Sequence, residues 1–202
     1  MKTKVLIGIP TLSSVHTLLM TVIVSWIAEA FNTGLYNLSL YPTVNISPVE
    51  KARNDIVKWF MESDCTHLLF VDSDTIPPVN AIMKLLALDK PIATAMTPIV
   101  EFNEQTRNYW RKWNCVGMND IHMQPDTGIQ QCKGAGSSCI LIRREVFEKM
   151  PQPWYEFRHK DDNGKEKEIS EDIMFVIKAL SMGIETWADT SLLCQHSKTV
   201  LY

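Results

Sequence analysis

Short apolar runs alternate with helix-like segments along the first hundred residues, and this alternation is the feature that most constrains the fold. The predicted elements are, in order, strand 5–9, helix 15–31 ending near Gly34, strand 38–45, a helix from about residue 48, strand 67–71, helix 79–88 and strand 91–100. Strands that alternate with helices in this way form mainly parallel sheets whose two faces are both covered. The sequence therefore predicts one α/β domain over residues 1–202, with a doubly wound, mainly parallel sheet and flanking helices.

The second predicted helix carries an arginine on its apolar side. Ser47 is predicted to cap this helix, with Pro48 in the first helical position and Glu50 completing a capping box. Arg53 follows Val49 by four residues and therefore lies on the apolar stripe. Because an unpaired buried charge is costly, we expect Arg53 to have an anionic partner, either a carboxylate of the protein or the diphosphate of a ligand.

The second half of the chain departs from this pattern and then returns to it. Residues 101–131 are polar with little periodicity, so we interpret them as an excursion over the sheet, where functional residues often lie. Residues 134–136 (Gly-Ala-Gly) are predicted to form a tight turn before a strand at 138–142 and a short helix at 144–150.

The end of the chain combines a charged hairpin with a last helix. Residues 158–168 are densely charged around an Asn-Gly pair at 163–164, so we expect a mobile surface flap there. The last helix is predicted to begin at Ser170 and to stop at Gly183, before a strand near 185–188. Its predicted apolar face consists of Ile173, Val176, Ile177 and Leu180.

Charge and composition exclude several classes of partner. The net charge of −3 gives no electrostatic case for nucleic acid or an anionic membrane. Helix 15–31 contains His16, Ser25 and Glu29, and its apolar part is too short to span a bilayer, so we expect a buried core helix and no integral membrane segment. The five cysteines include no C-x-x-C pair, which indicates reduced, buried thiols in a cytoplasmic protein.

In the stretch "HLLFVDSDTIPP", an apolar strand is followed directly by Asp72-Ser73-Asp74. On an extended chain these two carboxylates point the same way and repel each other unless a cation lies between or beside them. Alternatively, they form a polar turn in which one aspartate caps the next helix. Because ligands of doubly wound sheets bind at the carboxyl ends of the strands, we favour a site for Mg²⁺ or Mn²⁺.

Further candidate residues lie near the C-terminus. Glu171 and Asp172 open the last helix, where acids either favour the helix dipole or act as a general base on a hydroxyl. His196 is either a surface residue or a ligand of Mn²⁺. Three tryptophans outside the regular elements either pack in the core or stack on sugar rings: Trp110, Trp113 and Trp154.

Taken in order, these segments resemble the GT-A glycosyltransferases, especially the GT2-like inverting group. "VLIGIPTL" is similar to the opening nucleotide-binding strand, and "SPVEKARNDIV", with Arg53 and Asn54, to the helix before the metal strand. "HLLFVDSDTIPP" resembles the D-x-D strand, and "KGAGSSCILIRREVFE" the glycine turn beside the acceptor. "SEDIMFVIKALSMG" is similar to the catalytic helix, and "ADTSLLCQH" to the closing strand with its histidine.

The resemblance implies a Rossmann-like GT-A domain that transfers a sugar from a nucleoside-diphosphate sugar to a glycan or other hydroxyl acceptor, with Mn²⁺ or Mg²⁺. Residues 1–100 would bind the donor, and residues 101–202 would bind the acceptor and carry the catalytic groups. Asp172 would be the base, and Glu171 would orient that site. The implied donor contacts are Pro10, Thr11, Arg53, Asp72 and Asp74, and the implied metal ligands are Asp74, Asp72 and His196.

Two other functions remain open at this point. A sugar-phosphate nucleotidyltransferase also presents carboxylates and a metal to a nucleoside phosphate, and a non-catalytic carbohydrate-binding module could use the same scaffold. A dinucleotide-binding site is disfavoured, because "GIPTLSS" has one glycine where the fingerprint needs three, and no G-x-x-x-x-G-K-[ST] loop occurs.

Overall fold

Five helices and fourteen strands make up the part of the chain that the structure, a computed structural model, describes: residues 2–103, 106–160 and 166–197. The helices are α1 (Thr17–Thr33), α2 (Val49–Glu62), α3 (Ala81–Ala87), α4 (Arg144–Lys149) and α5 (Glu171–Ser181). The strands are β1 (Thr3–Pro10), β2 (Tyr36–Thr43), β3 (His67–Val71), β4 (Thr75–Ile76), β5 (Ile92–Met96), β6 (Pro98–Asn103), β7 (Asn108–Trp113), β8 (Cys115–Gly117), β9 (Ile129–Ala135), β10 (Cys139–Arg143), β11 (Arg158–Lys160), β12 (Glu166–Ile169), β13 (Thr186–Leu193) and β14 (Gln195–His196).

An eight-stranded sheet in the order β2-β1-β3-β10-β5-β13-β9-β8 forms the centre. Strands β10 and β9 run against their neighbours, and the other six strands share one direction. Side chains of α1 and α3 pack on one face of the sheet, and those of α2, α4 and α5 pack on the other. The predicted single α/β domain with a doubly wound, mainly parallel sheet is confirmed.

Strand β3 shows why this arrangement follows from the sequence. Leu68 and Phe70 face the core beneath α2, whereas Leu69 and Val71 face the core beneath α1. All four side chains are fully buried, and burying one such side chain contributes about 1.5–3 kcal/mol. A strand covered on both faces is therefore a continuous apolar run, and it holds the following residue, Asp72, in a fixed place.

Helix α2 begins one residue later than predicted, and the predicted cap and capping box are wrong. Pro48 is the N-cap, with extended backbone (φ −74°, ψ 175°), and no side-chain cap bond is formed. Because Pro48 is extended, Ser47 lies two residues before the first helical residue instead of next to it. Its hydroxyl is therefore out of position to accept from the first amides of the helix.

The prediction of an excursion over the sheet at residues 101–131 is only partly right. Strands β6 and β7 form a hairpin separate from the main sheet, whereas β8 and β9 belong to the main sheet. The first four residues of β7 are exposed, so the apolar alternation that marks a half-buried strand is missing from its sequence.

The Gly-Ala-Gly segment does not form the predicted turn, because its first two residues end β9. Gly136 instead permits a close approach. A Cβ atom at this position would lie 2.8 Å from the Asn114 side-chain nitrogen, which is too close for any residue with a side chain to fit without a shift.

Helix α5 begins after Ser170 and is followed by Gly183 at φ +75°, as predicted, but it buries a different face. Its buried residues include Glu171, Phe175 and Ala179, at a spacing of four, whereas Ile177 is exposed. On this face Glu171 is paired with Arg53 inside the protein, and Met174, Phe175 and Ala179 pack in the core. The predicted face of Ile173, Val176, Ile177 and Leu180 is correct only at Val176.

Helix α1 ends at Gly34 in the left-handed region (φ 63°), as predicted. The prediction of a buried core helix is only half right, because one apolar flank of α1 is exposed to solvent. Within the described residues, none of the helices has the length and apolar character needed to cross a bilayer. The five cysteines are free and buried, as predicted.

The charged segment near the C-terminus contributes two short strands, β11 and β12, which pair antiparallel. The Asn-Gly pair predicted to turn between them, residues 163–164, lies outside the described residues. The closing strand β13 is longer than the predicted strand and continues into the short strand β14.

Candidate active site

A tight turn, not an extended strand, carries the two aspartates after β3. The Thr75 amide donates to the Asp72 carbonyl at 3.0 Å and closes the turn. The Asp72 amide donates to the Ser138 carbonyl (3.1 Å), and the His16 amide at the start of α1 donates to the Ser73 carbonyl (2.8 Å). The expectation that both carboxylates point the same way is wrong, because the turn directs them to different partners.

Asp74 meets His196 across the pairing of β4 with β14. Its Oδ2 lies 3.1 Å from the imidazole Nε2, and the Nδ1 atom lies 3.0 Å from the Pro98 carbonyl oxygen. Because a carbonyl only accepts, Nδ1 carries a proton and donates to it. This bond fixes the ring. With Nδ1 protonated, Nε2 donates to Asp74 when the imidazole is charged, whereas in the neutral imidazole the Nε2 lone pair and the carboxylate are both available to a cation, as in metal-binding histidines whose other nitrogen donates to a carbonyl.

Arg53 is buried and joins three elements at the base of the site. Its Nη2 donates to Asp72 Oδ1 at 2.8 Å, and its Nε donates to Glu171 Oε1 at 3.0 Å. The guanidinium carbon also lies 5.4 and 5.8 Å from the ring centres of Phe70 and Tyr155. Of the two partners considered for this arginine, the structure provides the protein carboxylates. Burial lowers the pKa of Arg53, but the charges of Asp72 and Glu171 outweigh it and raise that pKa.

The two acids of α5 occupy different environments. Glu171 is 4% exposed. Burial raises its pKa, as does the neighbouring Asp172, while Arg53 opposes both effects. Asp172 is half-buried and accepts from the Ser170 hydroxyl, the Ile173 amide (2.7 Å) and the Ser137 amide (3.4 Å). Of the two acids, Asp172 is therefore the one accessible from solvent, and Glu171 is part of the buried framework.

A cavity of about 330 Å³ opens at the carboxyl end of β1. Its lining includes Pro10 and Thr11, which were predicted as donor contacts, and Ser73 of the turn. Hydroxyl and apolar side chains form the lining, and none of them is charged. Sequence reasoning missed the other lining residues: Leu12, Ser13, Ser14, Ile46, Ser47, Val49 and Ala52.

Asn54 is a further residue whose role sequence reasoning missed. Its side-chain oxygen accepts from the Trp154 and Tyr155 amides (3.1 Å each), and its nitrogen donates to the Tyr155 carbonyl (2.7 Å). These bonds hold Tyr155 under Arg53. The only signal in the sequence was the position of Asn54 next to Arg53 in the quoted motif.

The tryptophans and the predicted metal ligands lie in different environments. Trp113 (8% exposed) and Trp154 (5%) pack in the core, whereas Trp110 is 45% exposed on the β6–β7 hairpin. Within residues 2–103, 106–160 and 166–197, no three histidine, cysteine, aspartate or glutamate side chains form a group that could hold a metal ion. The structure instead pairs Asp74 with His196.

Comparison with solved structures identifies proteins of the same architecture. A crystal structure of A197 from STIV matches with a TM-score of 0.61 at 18% identity, covering 98% of this chain and 87% of that chain. GalNAc-T7 with UDP, GalNAc and Mn²⁺ matches with a TM-score of 0.61 at 12% identity, covering 98% of this chain and 44% of that chain. S. aureus TarS 1-349 matches with a TM-score of 0.53 at 13% identity, covering 96% and 60%.

No protein-family model matches the sequence, and no curated protein matches it. At the identities of the solved structures, the likeness is one of fold. GalNAc-T7 and TarS are GT-A glycosyltransferases. The fold that the motif order predicted is thereby confirmed, and the chain has a GT-A-like fold.

Proposed function

We propose that the protein is a metal-dependent, inverting glycosyltransferase that moves a sugar from a nucleoside-diphosphate sugar to an acceptor hydroxyl. One observation carries this proposal: three functional features converge on the turn after β3. Ser73 lines the cavity at the end of β1, Asp74 meets His196, and Asp72 is joined through Arg53 to the helix that carries Asp172.

The cavity supports a nucleoside as the group bound beside the turn. Its volume of about 330 Å³ falls at the lower end of the range of small-molecule sites. The uncharged lining, with hydroxyls at Thr11, Ser13 and Ser14, suits a neutral base and a ribose. One structure of the same fold contains UDP, GalNAc and Mn²⁺, so UDP-linked sugars with Mn²⁺ are the first donors to test.

The Asp74–His196 pair fits a divalent cation. Adjacent ligand atoms in an octahedral site with bonds of about 2.1 Å are about 3.0 Å apart, and Oδ2 and Nε2 are 3.1 Å apart. One carboxylate and one imidazole leave the remaining positions for water and diphosphate oxygens, as Mn²⁺ and Mg²⁺ sites require. A bound cation would offset the charge that develops on the departing nucleoside diphosphate.

Asp172 is assigned the proton transfer. As the acceptor oxygen forms its bond to the anomeric carbon, the bond from that carbon to the diphosphate oxygen breaks, and the hydroxyl proton passes to Asp172. Attack opposite the departing group inverts the anomeric centre. The bonds from Ser170, Ile173 and Ser137 hold the carboxylate in one orientation, which a general base requires.

The test begins with donor binding and continues with turnover. We expect nucleoside-diphosphate sugars with Mn²⁺ to raise the unfolding temperature, because a ligand at 100 times its Kd stabilises a protein by about 2.7 kcal/mol. Asp172→Asn should reduce transfer by about 10² to 10⁴ while leaving donor binding within about twofold. Asp64→Asn, an exposed acid beyond the opposite end of β3, is the control and should transfer at the parent rate.

The same assays separate the other functions. Pyrophosphate release from a nucleoside triphosphate and a sugar phosphate would identify a nucleotidyltransferase. Glycan binding without any turnover of donor would identify a binding module. Transfer by Asp172→Asn at the parent rate would refute the assignment of the base.

A further inference from the structure

One flank of α1 presents an apolar stripe to solvent. Four side chains on this flank are exposed: Met20 (40%), Val24 (61%), Ile27 (51%) and Phe31 (88%). Their spacing of four, three and four residues places them along one line of the helix, beside the face that packs on the sheet. The four side chains therefore form a continuous exposed strip rather than scattered single residues.

The helix that carries the stripe is almost without charge. The only ionisable side chain among the 17 residues of α1 is Glu29, and its carboxylate accepts from the Tyr36 hydroxyl at 2.6 Å. The exposed residues on the other flank include Thr21, Ser25 and Asn32, which are polar and uncharged. A charge-free apolar strip of this length on an outer helix is characteristic of an interaction surface.

The available area is close to what a specific interface needs. The four side chains, together with Leu35 just after the helix (58% exposed), present roughly 600 Å² of accessible surface, compared with about 800 Å² per partner in a standard interface. A groove of about 510 Å³ adjoins the stripe, between Ile27 and Phe31 on the helix and strand β2. Its lining also includes Lys4 and Asp64, which form an ion pair with each other. The stripe and the groove together provide both an apolar ridge and a recess that can receive one.

We propose that two copies of this chain pair through the α1 flanks as a two-fold dimer. Apolar residues spaced alternately by three and four form a line along one side of a helix, and two helices pack along each other at a shallow angle through such lines. The stripe carries no charge, and the Lys4 and Asp64 side chains in the adjoining groove neutralise each other, so the face meets its own copy without net repulsion, as a two-fold contact requires. A lipid surface is the weaker partner, because helices that bind membranes carry lysine or arginine on their polar face and α1 has none.

The dimer is independent of the proposed activity. None of the four stripe residues lines the cavity at the end of β1 or contacts the pairs formed by Asp74 and Arg53. Disruption of the dimer should therefore leave donor binding unchanged. If the protein proved to have no transferase activity, the proposal of a dimer would be unaffected.

Sedimentation equilibrium of the full chain between about 1 and 100 µM tests the dimer. We expect a mass of about 46 kDa, twice the 23.1 kDa of one chain. Phe31→Glu changes the most exposed stripe residue and should weaken dimerisation at least 100-fold, with an unchanged circular dichroism spectrum. Ile27→Glu should act the same way, and Ser25→Glu, on the polar flank of the same helix, should remain dimeric.

Three results would overturn the proposal. The parent chain could sediment as a monomer at 100 µM, or both stripe variants could dimerise as tightly as the parent. The parent could also remain monomeric and float with phosphatidylcholine vesicles, with Phe31→Glu abolishing flotation, in which case the stripe is a membrane-binding surface.

Discussion

Replacing Arg53 with methionine should destabilise the protein strongly, and the structure shows which of its two partners is responsible. Arg53→Met keeps most of the side-chain volume, so little of the effect comes from a cavity. The Asp72 side chain is 29% exposed and can be solvated when its partner is lost. The Glu171 side chain is only 6% exposed, so its charge would remain buried without compensation.

Breaking a buried pair from one side typically costs about 3–5 kcal/mol. For a domain of this length, each kcal/mol lowers the unfolding temperature by about 2–4 °C, so we expect a decrease of about 6–20 °C. Urea unfolding followed by tryptophan fluorescence at one fixed protein concentration measures the free energy directly. Arg53→Met combined with Glu171→Leu should recover much of the loss, with a coupling energy of about 1–3 kcal/mol.

The pH dependence of unfolding gives an independent check on the same pair. The pKa of Glu171 is raised in the folded state by burial and by Asp172. The proton on Glu171 therefore favours folding below the unfolded pKa, and this contribution is lost as pH rises through the folded pKa. Arg53→Met removes the charge that holds this pKa down, so its destabilisation should be greater at pH 8 than at pH 5.

Glu171→Gln should remove this component of the pH dependence. A loss below about 1 kcal/mol for Arg53→Met, equal at both pH values, would show that the buried pair does not stabilise the fold and would refute the reasoning.

Two further predictions concern the proposed ligands. His196→Ala should weaken Mn²⁺ binding at least tenfold in calorimetry without donor, because it removes one of two adjacent proposed ligands. His67→Ala, at the start of β3, is the control. Equal Mn²⁺ affinities of the parent and the two variants would exclude His196 as a ligand. Trp110→Ala should raise the KM for a glycan acceptor about 3- to 10-fold with little change in kcat, because stacking contributes about 0.5–1.5 kcal/mol. Tyr109→Ala changes a residue on the opposite side of β7 and should leave the KM for the acceptor unchanged. An equal rise in KM for both variants would show that the effect comes from the hairpin as a whole and not from stacking on Trp110.

Local patterns supplied the candidate residues of the proposed site but not their geometry. The sequence singled out Asp72, Asp74, Asp172 and His196, because each follows or opens an element recognisable from a short stretch. It placed the two aspartates on one side of an extended strand, whereas a hydrogen bond from Thr75 to Asp72 turns the chain and separates them. A short turn and a strand end are locally alike, so hydrogen bonding decides between them.

The irregular middle of the chain was mispredicted for a related reason. Strand β9 pairs with β13 and β8, which lie on either side of it in the sheet. Among the described residues, strand β7 pairs only with β6, and it exposes most of its side chains. Without a buried face, a strand has no apolar alternation, and only its pairing partner identifies it.

The sequence by itself determined the α/β alternation and the buried strand β3, and it supplied the residues proposed for the site. These follow from the periodicity of short segments, because burial on one or both faces of an element leaves a regular apolar pattern. Only the tertiary structure decided that Arg53 pairs with Glu171, 118 residues away, that α5 buries the face carrying Glu171 and Phe175, and that one apolar flank of α1 stays exposed. A charge is satisfied, or an apolar face covered, by whatever the fold brings next to it, and that neighbour is usually distant in the chain.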